Sequence, residues 1–391
     1  MCAGLLLVAL VGMANAAAPA RLRTELTLTH IAADKWRADY VFSEPVTAIE
    51  LGAPIRSYRK QAWRVQTPGV VLVAQGDNES LRSAKPFARL SVEIGAYDEF
   101  NEGAQYAPIN RFSDGGWNLY LGFLCGTLSQ GERTRTMETV LRLQGLPGEA
   151  TVAPIKPGTE LEGYAYFGPS KPARMGNVDV IIDPQAPAWL RDVLQDTTTK
   201  VSQFYEQALQ RKLIGTPLVS VAVVGLDGPA GGISIKGGAV GGGIAYRFEG
   251  RGLVEDHPKK RSYVAALVAH EMAHVWQVNL ARGGVGESEP WVHEGGAEAL
   301  MLEALRSTGI FTAEESEQYA QKLLKECDQL QGDVTVYRGF YACGFKRFKG
   351  YAMAPVPLWQ AMMVRSEGSG EFYSEAMIEG LLKASVATPT R

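Results

Sequence analysis

Over roughly the first 175 residues, apolar and polar positions alternate in short runs broken by Gly, Pro and Asn. The stretch TELTLTH at 24–30 alternates with a period of two, the spacing of a half-buried strand. WRADYVFSEPVTAIELG reads as two short strands around a Glu44-Pro45 break, because proline cannot donate to a strand ladder. GVVLVAQ, ARLSVEIGAY, WNLYLGFL, TVLRLQGL and LEGYAYFG predict further strands. Short strands at this spacing predict a sandwich-like β domain. At NVDVIIDP the texture changes. A helix is predicted over about 187–212, then a strand in PLVSVAVVGL, then the glycine-rich GPAGGISIKGGAVGGGIAYRFEG. Helices are predicted at about 261–280, 290–308, 313–330 and 355–366. The domain boundary is placed near residue 175, and no internal repeat or low-complexity tract is visible. The glycine-rich segment lacks the G-x-x-x-x-G-K-[ST] pattern and does not open a helix after a strand. It reads as a strand-and-turn lip rather than a phosphate loop.

Composition narrows the class. The 391 residues are 46% hydrophobic, enough for two domains with a sizeable core. Thirty-nine basic and 42 acidic residues give a formal net charge of −3, which argues against a nucleic-acid partner or a polybasic membrane patch. The chain opens with MCAGLLLVALVGMANAAAPARLR, an apolar core from Leu5 to Met13 followed by Ala14-Asn15-Ala16. Residues 1–18 therefore read as a signal peptide or, since no Lys or Arg precedes the apolar core, as an uncleaved anchor. That run is too short to span a bilayer, and no later run is long enough. The mature chain is expected to be secreted or periplasmic, without a membrane span. Cys327 and Cys343 read either as a disulfide, which an oxidising compartment would permit, or as buried thiols. No C-x-x-C pattern suggests a cysteine-based metal site.

The chemistry concentrates in AALVAHEMAHVWQVNL at 265–280, which holds two of the five histidines. His270 and His274 stand four apart on a predicted helix, so they share one face a turn apart. Two imidazoles so placed can ligate one metal ion. Glu271, about a quarter-turn round, can face a water beside that ion and serve as general base. Without a metal the pair would be core histidines, a costly burial. A zinc site needs a third protein ligand and an open position. Downstream, EPWVHEGGAEALMLEAL offers His293, Glu294 and Glu298 on a helix begun by Pro290. Gly295 and Gly296 are poor helix formers, which makes sense if this helix approaches the zinc helix closely.

VAHEMAHVWQ followed by WVHEGGAEAL resembles the gluzincin peptidases, in particular the aminopeptidase N and leukotriene hydrolase family and the related glycyl aminopeptidase family. The resemblance covers about 175–350. It implies an α+β fold, with an N-terminal β-sandwich-like domain (19–175) and a catalytic domain (176–391) of thermolysin-like mixed sheet and helices. It implies one zinc ion held by His270, His274 and Glu294, with Glu271 as general base acting on a zinc-activated water. The family's usual gap would land on His293, one residue earlier; the E-G-x-A-E text favours Glu294, and both remain open. Glu298 would support a ligand from behind, or is a solvated helix charge.

The family also stabilises the oxyanion with a tyrosine in a Y-x-x-G motif. Here Tyr341-Ala342-Cys343-Gly344 makes Tyr341 the candidate, with Tyr337 and Tyr351 behind it and a purely structural tyrosine as the plain alternative. A glycine-rich strand upstream of the zinc helix binds the substrate backbone in the family. GGGIAYRFEG at 241–250 occupies that place, giving Gly242, Gly243, Ile244 and Ala245 as substrate-binding candidates. The family's strand ends in a glutamate that helps hold the substrate's free amine. Ala245 and Tyr246 replace the expected residues and Glu249 is displaced, which leaves exopeptidase specificity open. The chain ends at Arg391, so a large helical domain closing the cleft is not expected. The implied activity is peptide-bond hydrolysis on peptide or protein substrates. The alternatives are an exported binding or scaffold protein on a peptidase fold, and a zinc hydrolase of a non-peptide bond.

Overall fold

The computed structural model describes residues 20–51, 58–75, 78–97, 107–153, 161–279 and 289–387; the signal-peptide expectation, residues 1–18, lies outside them. The architecture is α+β, with β-rich layers first and a mixed sheet with helices after them.

The first part comprises strands β1 (Arg21–Ala32), β2 (Lys35–Glu50), β3 (Trp63–Val65), β4 (Val70–Gln75), β5 (Asn78–Gly95), β6 (Ile109–Arg111), β7 (Trp117–Tyr120), β8 (Thr127–Gln130), β9 (Arg133–Gln144), β10 (Ala150–Val152) and β11 (Tyr164–Gly168), with one short helix, α1 (Tyr58–Ala62). A seven-stranded sheet runs β1-β9-β8-β2-β5-β3, with β4 on β5, and a four-stranded sheet runs β10-β11-β7-β6. Leu26, Trp36 and Ile94 of the larger sheet share one core with Trp117, Leu119 and Phe167 of the smaller, so the two lie face to face. Trp36 and Trp117 meet edge to face at 5.5 Å. The expected break at Glu44-Pro45 does not occur. β2 runs through it, and the pairing with β5 shifts register between Val41 and Val46, which sets the proline outside the ladder.

The second part begins with β12 (Ala173–Met175) and β13 (Val178–Ile182), then α2 (Ala188–Leu209), β14 (Leu218–Val224), β15 (Ser234–Val240) and β16 (Gly243–Glu249). These strands form one mixed sheet ordered β12-β13-β14-β16-β15. β13, β14 and β16 are parallel; β12 and β15 are antiparallel edges. Six helices follow: α3 (Pro258–Asn279), α4 (Pro290–Ser307), α5 (Ala313–Gln329), α6 (Tyr337–Gly350), α7 (Pro355–Ser369) and α8 (Glu375–Ala387). Apolar faces of α2, α3 and α4 build the core over the sheet, through Tyr205, Val268, Trp276 and Leu300 among others. Among the described residues, no helix is long and apolar enough to cross a membrane.

The pattern reading leaves α6 and α8 without a predicted helix. Three glycines interrupt the apolar period of α6. One of them, Gly344, explains Gly295 of α4, and Trp359 of α7 explains Gly296, which corrects the expectation for the two. A Cβ on Gly295 would lie 2.3 Å from the Gly344 carbonyl carbon, and a Cβ on Gly296 would lie 2.4 Å from the Trp359 ring. These glycines let α4 approach α6 and α7, not the helix that carries the histidines. Cys327 and Cys343 form a disulfide, tying α5 to α6 with Cα atoms 4.7 Å apart.

Buried polar contacts join the two parts. The Asp183 carboxylate, 0% exposed, accepts from the Ser113 amide and hydroxyl on one side and from the Val223 and Gln185 amides on the other. Asn118 Nδ2 donates to Ser220 Oγ at 2.7 Å. Phe112 and Tyr166 pack against Ile181, Leu218 and Ala222 across the same junction.

Candidate metal centre and cleft

α3 is apolar nearly all round, so the two histidines it carries are forced inward with it. His270 and His274 are each 6% exposed. Their Nε2 atoms lie 3.1 Å apart. Glu294, from the first turns of α4, places Oε2 at 3.2 Å from His270 Nε2 and 3.3 Å from His274 Nε2. His270, His274 and Glu294 thus form a group that could hold a metal ion. The fit can be tested on the triangle itself. Donors at zinc-ligand distances in a tetrahedron stand about 3.3 Å apart, and the three edges here match. Two buried imidazole nitrogens facing each other need a proton or cation between them.

The charges of the group are mutually supporting. Burial favours neutral His270, but the hydrogen bond it donates to Glu294 and the nearby Glu298 carboxylate hold its pKa well above the ordinary value. Burial would raise Glu294, but the charge of His274 and the hydrogen bonds from both imidazoles hold it well below the usual carboxylate range.

Each histidine has a second neighbour behind it. Glu298 Oε1 faces His270 Nδ1 at 3.4 Å, a charge contact too misaligned for a hydrogen bond, and Tyr319 Oη donates to the other Glu298 oxygen at 3.2 Å. His274 Nδ1 meets Gln277 Oε1 at 2.7 Å. His293 points elsewhere. It stacks on His274 with ring centres 4.1 Å apart and stays outside the donor triangle. Burial, then the charge of His274, pushes its pKa well below the ordinary value, so it is a neutral wall of the site.

A cleft of about 410 Å³ opens over the group. Glu271 lines it, and the Ala239 amide on edge strand β15 donates to Glu271 Oε2 at 2.7 Å. The approach is close: a Cβ on Gly238 would lie 2.8 Å from that oxygen. Tyr341 lines it too, its ring stacked on His270 at 5.6 Å and its hydroxyl 3.5 Å from that of Tyr337. Burial, then the Glu294 charge, raises the Tyr341 pKa well above the ordinary phenol value, so it stays a protonated donor. Tyr351 does not line the cleft.

Of the four glycine-rich candidates, Gly242 and Gly243 line the cleft, whereas Ile244 and Ala245 are buried on β16 beneath the edge strand. The surface facing Glu271 is instead Gly237, Gly238 and Ala239 of β15. The displacement has a simple cause: the chain turns at Gly241-Gly242, both at positive φ, and the strand after the turn lies one place further in. Gln277, Tyr319, Tyr120 and Glu162 have no part in the sequence reading. Tyr120 and Glu162 reach the cleft from the N-terminal β layers, a long-range placement no local pattern reveals. Gln277 does carry a signal, as a polar residue in an apolar helical run.

No family model and no curated protein matches the sequence. Among solved structures, the chain is similar to an aminopeptidase N family protein from Idiomarina loihiensis, at 11% identity and a TM-score of 0.59, over 93% of this chain and 73% of that one. It is also similar to an M1 zinc metallopeptidase from Deinococcus radiodurans, at 14% identity and a TM-score of 0.48, over 94% and 90% of the two chains. The first of these likenesses shows a shared fold: the β-rich layers, the mixed sheet and the helices over it are arranged as in that aminopeptidase N family protein.

Proposed function

We propose that this chain is an exported, zinc-dependent peptidase of the aminopeptidase-like kind. One observation carries the reading: the His270, His274 and Glu294 donors close a zinc-sized triangle in a cleft that also presents Glu271 and Tyr341. A zinc ion held by those three residues would polarise a scissile carbonyl and lower the pKa of a water. Glu271 takes the proton from the attacking water and delivers it to the leaving amine. Tyr341 donates its phenol hydrogen to the developing oxyanion, in the manner of an oxyanion hole. The β15 edge at Gly237–Ala239 and the turn at Gly241-Gly242 present backbone to an extended peptide. The glycine turn has no carboxylate to hold a free amine. Of the acidic residues lining the cleft, Glu162 is the one this reading leaves without a role at the metal centre, and it is the candidate for that task. In this reading the junction near residue 175 divides a cleft-walling domain from a catalytic one. Export accords with the Cys327–Cys343 disulfide.

The test is digestion of a diverse peptide mixture by the mature protein, read by mass spectrometry against the Glu271→Gln variant. Loss of N-terminal residues supports an aminopeptidase, and internal cuts make it an endopeptidase. Identical products from protein and variant would overturn the peptidase reading in favour of a binding protein or a non-peptide hydrolase.

A further inference from the structure

Gln277 is fully buried, one turn beyond His274 on α3. An amide without solvent is costly unless both its ends are bonded. Both are. Oε1 lies 2.7 Å from His274 Nδ1, and Nε2 donates to the His293 backbone carbonyl at 3.2 Å. The second contact fixes the first. A carbonyl oxygen only accepts, so the amide nitrogen must face His293 and the amide oxygen must face His274. An amide oxygen also only accepts, so His274 must carry its proton on Nδ1. In the neutral ring Nε2 is therefore the lone pair, and it faces Glu294 and His270. The order of cause runs from a backbone carbonyl, through an amide, to a tautomer.

We propose that Gln277 is the positioning residue that locks His274 in its metal-binding tautomer and sets the spacing of the two ligand helices. The inference rests on the proposed metal centre. The residue it grips on α4, His293, immediately precedes Glu294. One side chain therefore orients an imidazole on α3 and anchors the carboxylate's own backbone on α4. The two histidines are supported unequally: His270 faces a carboxylate across 3.4 Å, whereas His274 is held by a neutral, tightly bonded amide. A neutral partner fixes the proton without adding charge behind the ligand.

The experiment measures zinc affinity of the whole protein by competition with a chromophoric chelator, for wild type and Gln277→Met, which keeps length and removes both bonds. Gln277→Met is expected to weaken zinc about 10- to 100-fold, the usual effect of losing such a partner, and to shift the visible bands of the cobalt(II) form. Affinity within twofold of wild type in a folded Gln277→Met protein, with unchanged cobalt bands, would overturn the assignment. Absence of zinc binding by wild type would instead overturn the metal centre itself. Should Gln277→Met fail to fold, ¹⁵N-histidine spectra of wild type decide. A slowly exchanging His274 Nδ1 proton supports the lock, and a bare Nδ1 in the metal-free protein refutes it.

Discussion

Gly295 and Gly344 touch backbone to backbone where α4 crosses α6, with no room for a Cβ on either. The contact has a chemical consequence. Glu294 is the neighbour of one glycine, and Tyr341 lies one turn before the other. Close approach of the two backbones is what brings a ligand candidate and an oxyanion candidate into one cleft. Gly344→Ala is expected to destabilise the fold by about 1–3 kcal/mol through overpacking. It should also lower turnover more than that loss of folded protein explains. Urea unfolding alongside kcat measures the two effects, and unchanged stability would show that the crossing can relax.

Glu271→Gln should keep zinc, because the ligands are untouched, yet lose peptide turnover by about 10²- to 10⁴-fold, the usual contribution of a general base. Metal content by atomic absorption and product formation on the same sample separate the two. Retained turnover would exclude Glu271 as the base.

Glu294→Ala should lose zinc affinity, whereas His293→Ala should keep most of it, since His293 stacks beside the donor triangle without entering it. Chelator competition on both variants checks this. Strong zinc binding by Glu294→Ala, with loss in His293→Ala, would move the third ligand by one residue.

Tyr341→Phe should leave zinc affinity and KM nearly unchanged and lower kcat about 10²- to 10³-fold, the range for removal of one oxyanion donor. In the metal-free protein, burial and the Glu294 charge should keep this phenol protonated as pH rises through the ordinary phenol range. Phenolate absorbance that appears near pH 10 in wild type and is missing in Tyr341→Phe would contradict it.

How far the sequence could be read depended on the range of the physics. His270, Glu271 and His274 were legible because helical periodicity alone puts two imidazoles on one face. Glu294 was legible as a ligand candidate through the text around it, but its separation from His293 needed the actual helix orientation. α6 was hidden because its glycines, which weaken a local helical signal, answer to packing against α4. The glycine-rich lip was legible only in part: Gly242 and Gly243 reach the cleft, but Ile244 and Ala245 do not, because a two-glycine turn reverses the chain and which strand becomes the edge is decided by the whole sheet. Tyr120 and Glu162 were out of reach, since their place in the cleft depends on how two distant parts of the chain meet.

That meeting is held by Asp183, whose one carboxylate satisfies amides from both parts at once. Neither side can slide without stranding a buried donor. Tyr120 and Glu162 therefore stand at a set distance from the histidine helix, like the fixed jaw of a gauge. On the proposed peptidase reading, a substrate's fit is measured against a width already cast by the fold, and selection among peptides becomes a question of calibre.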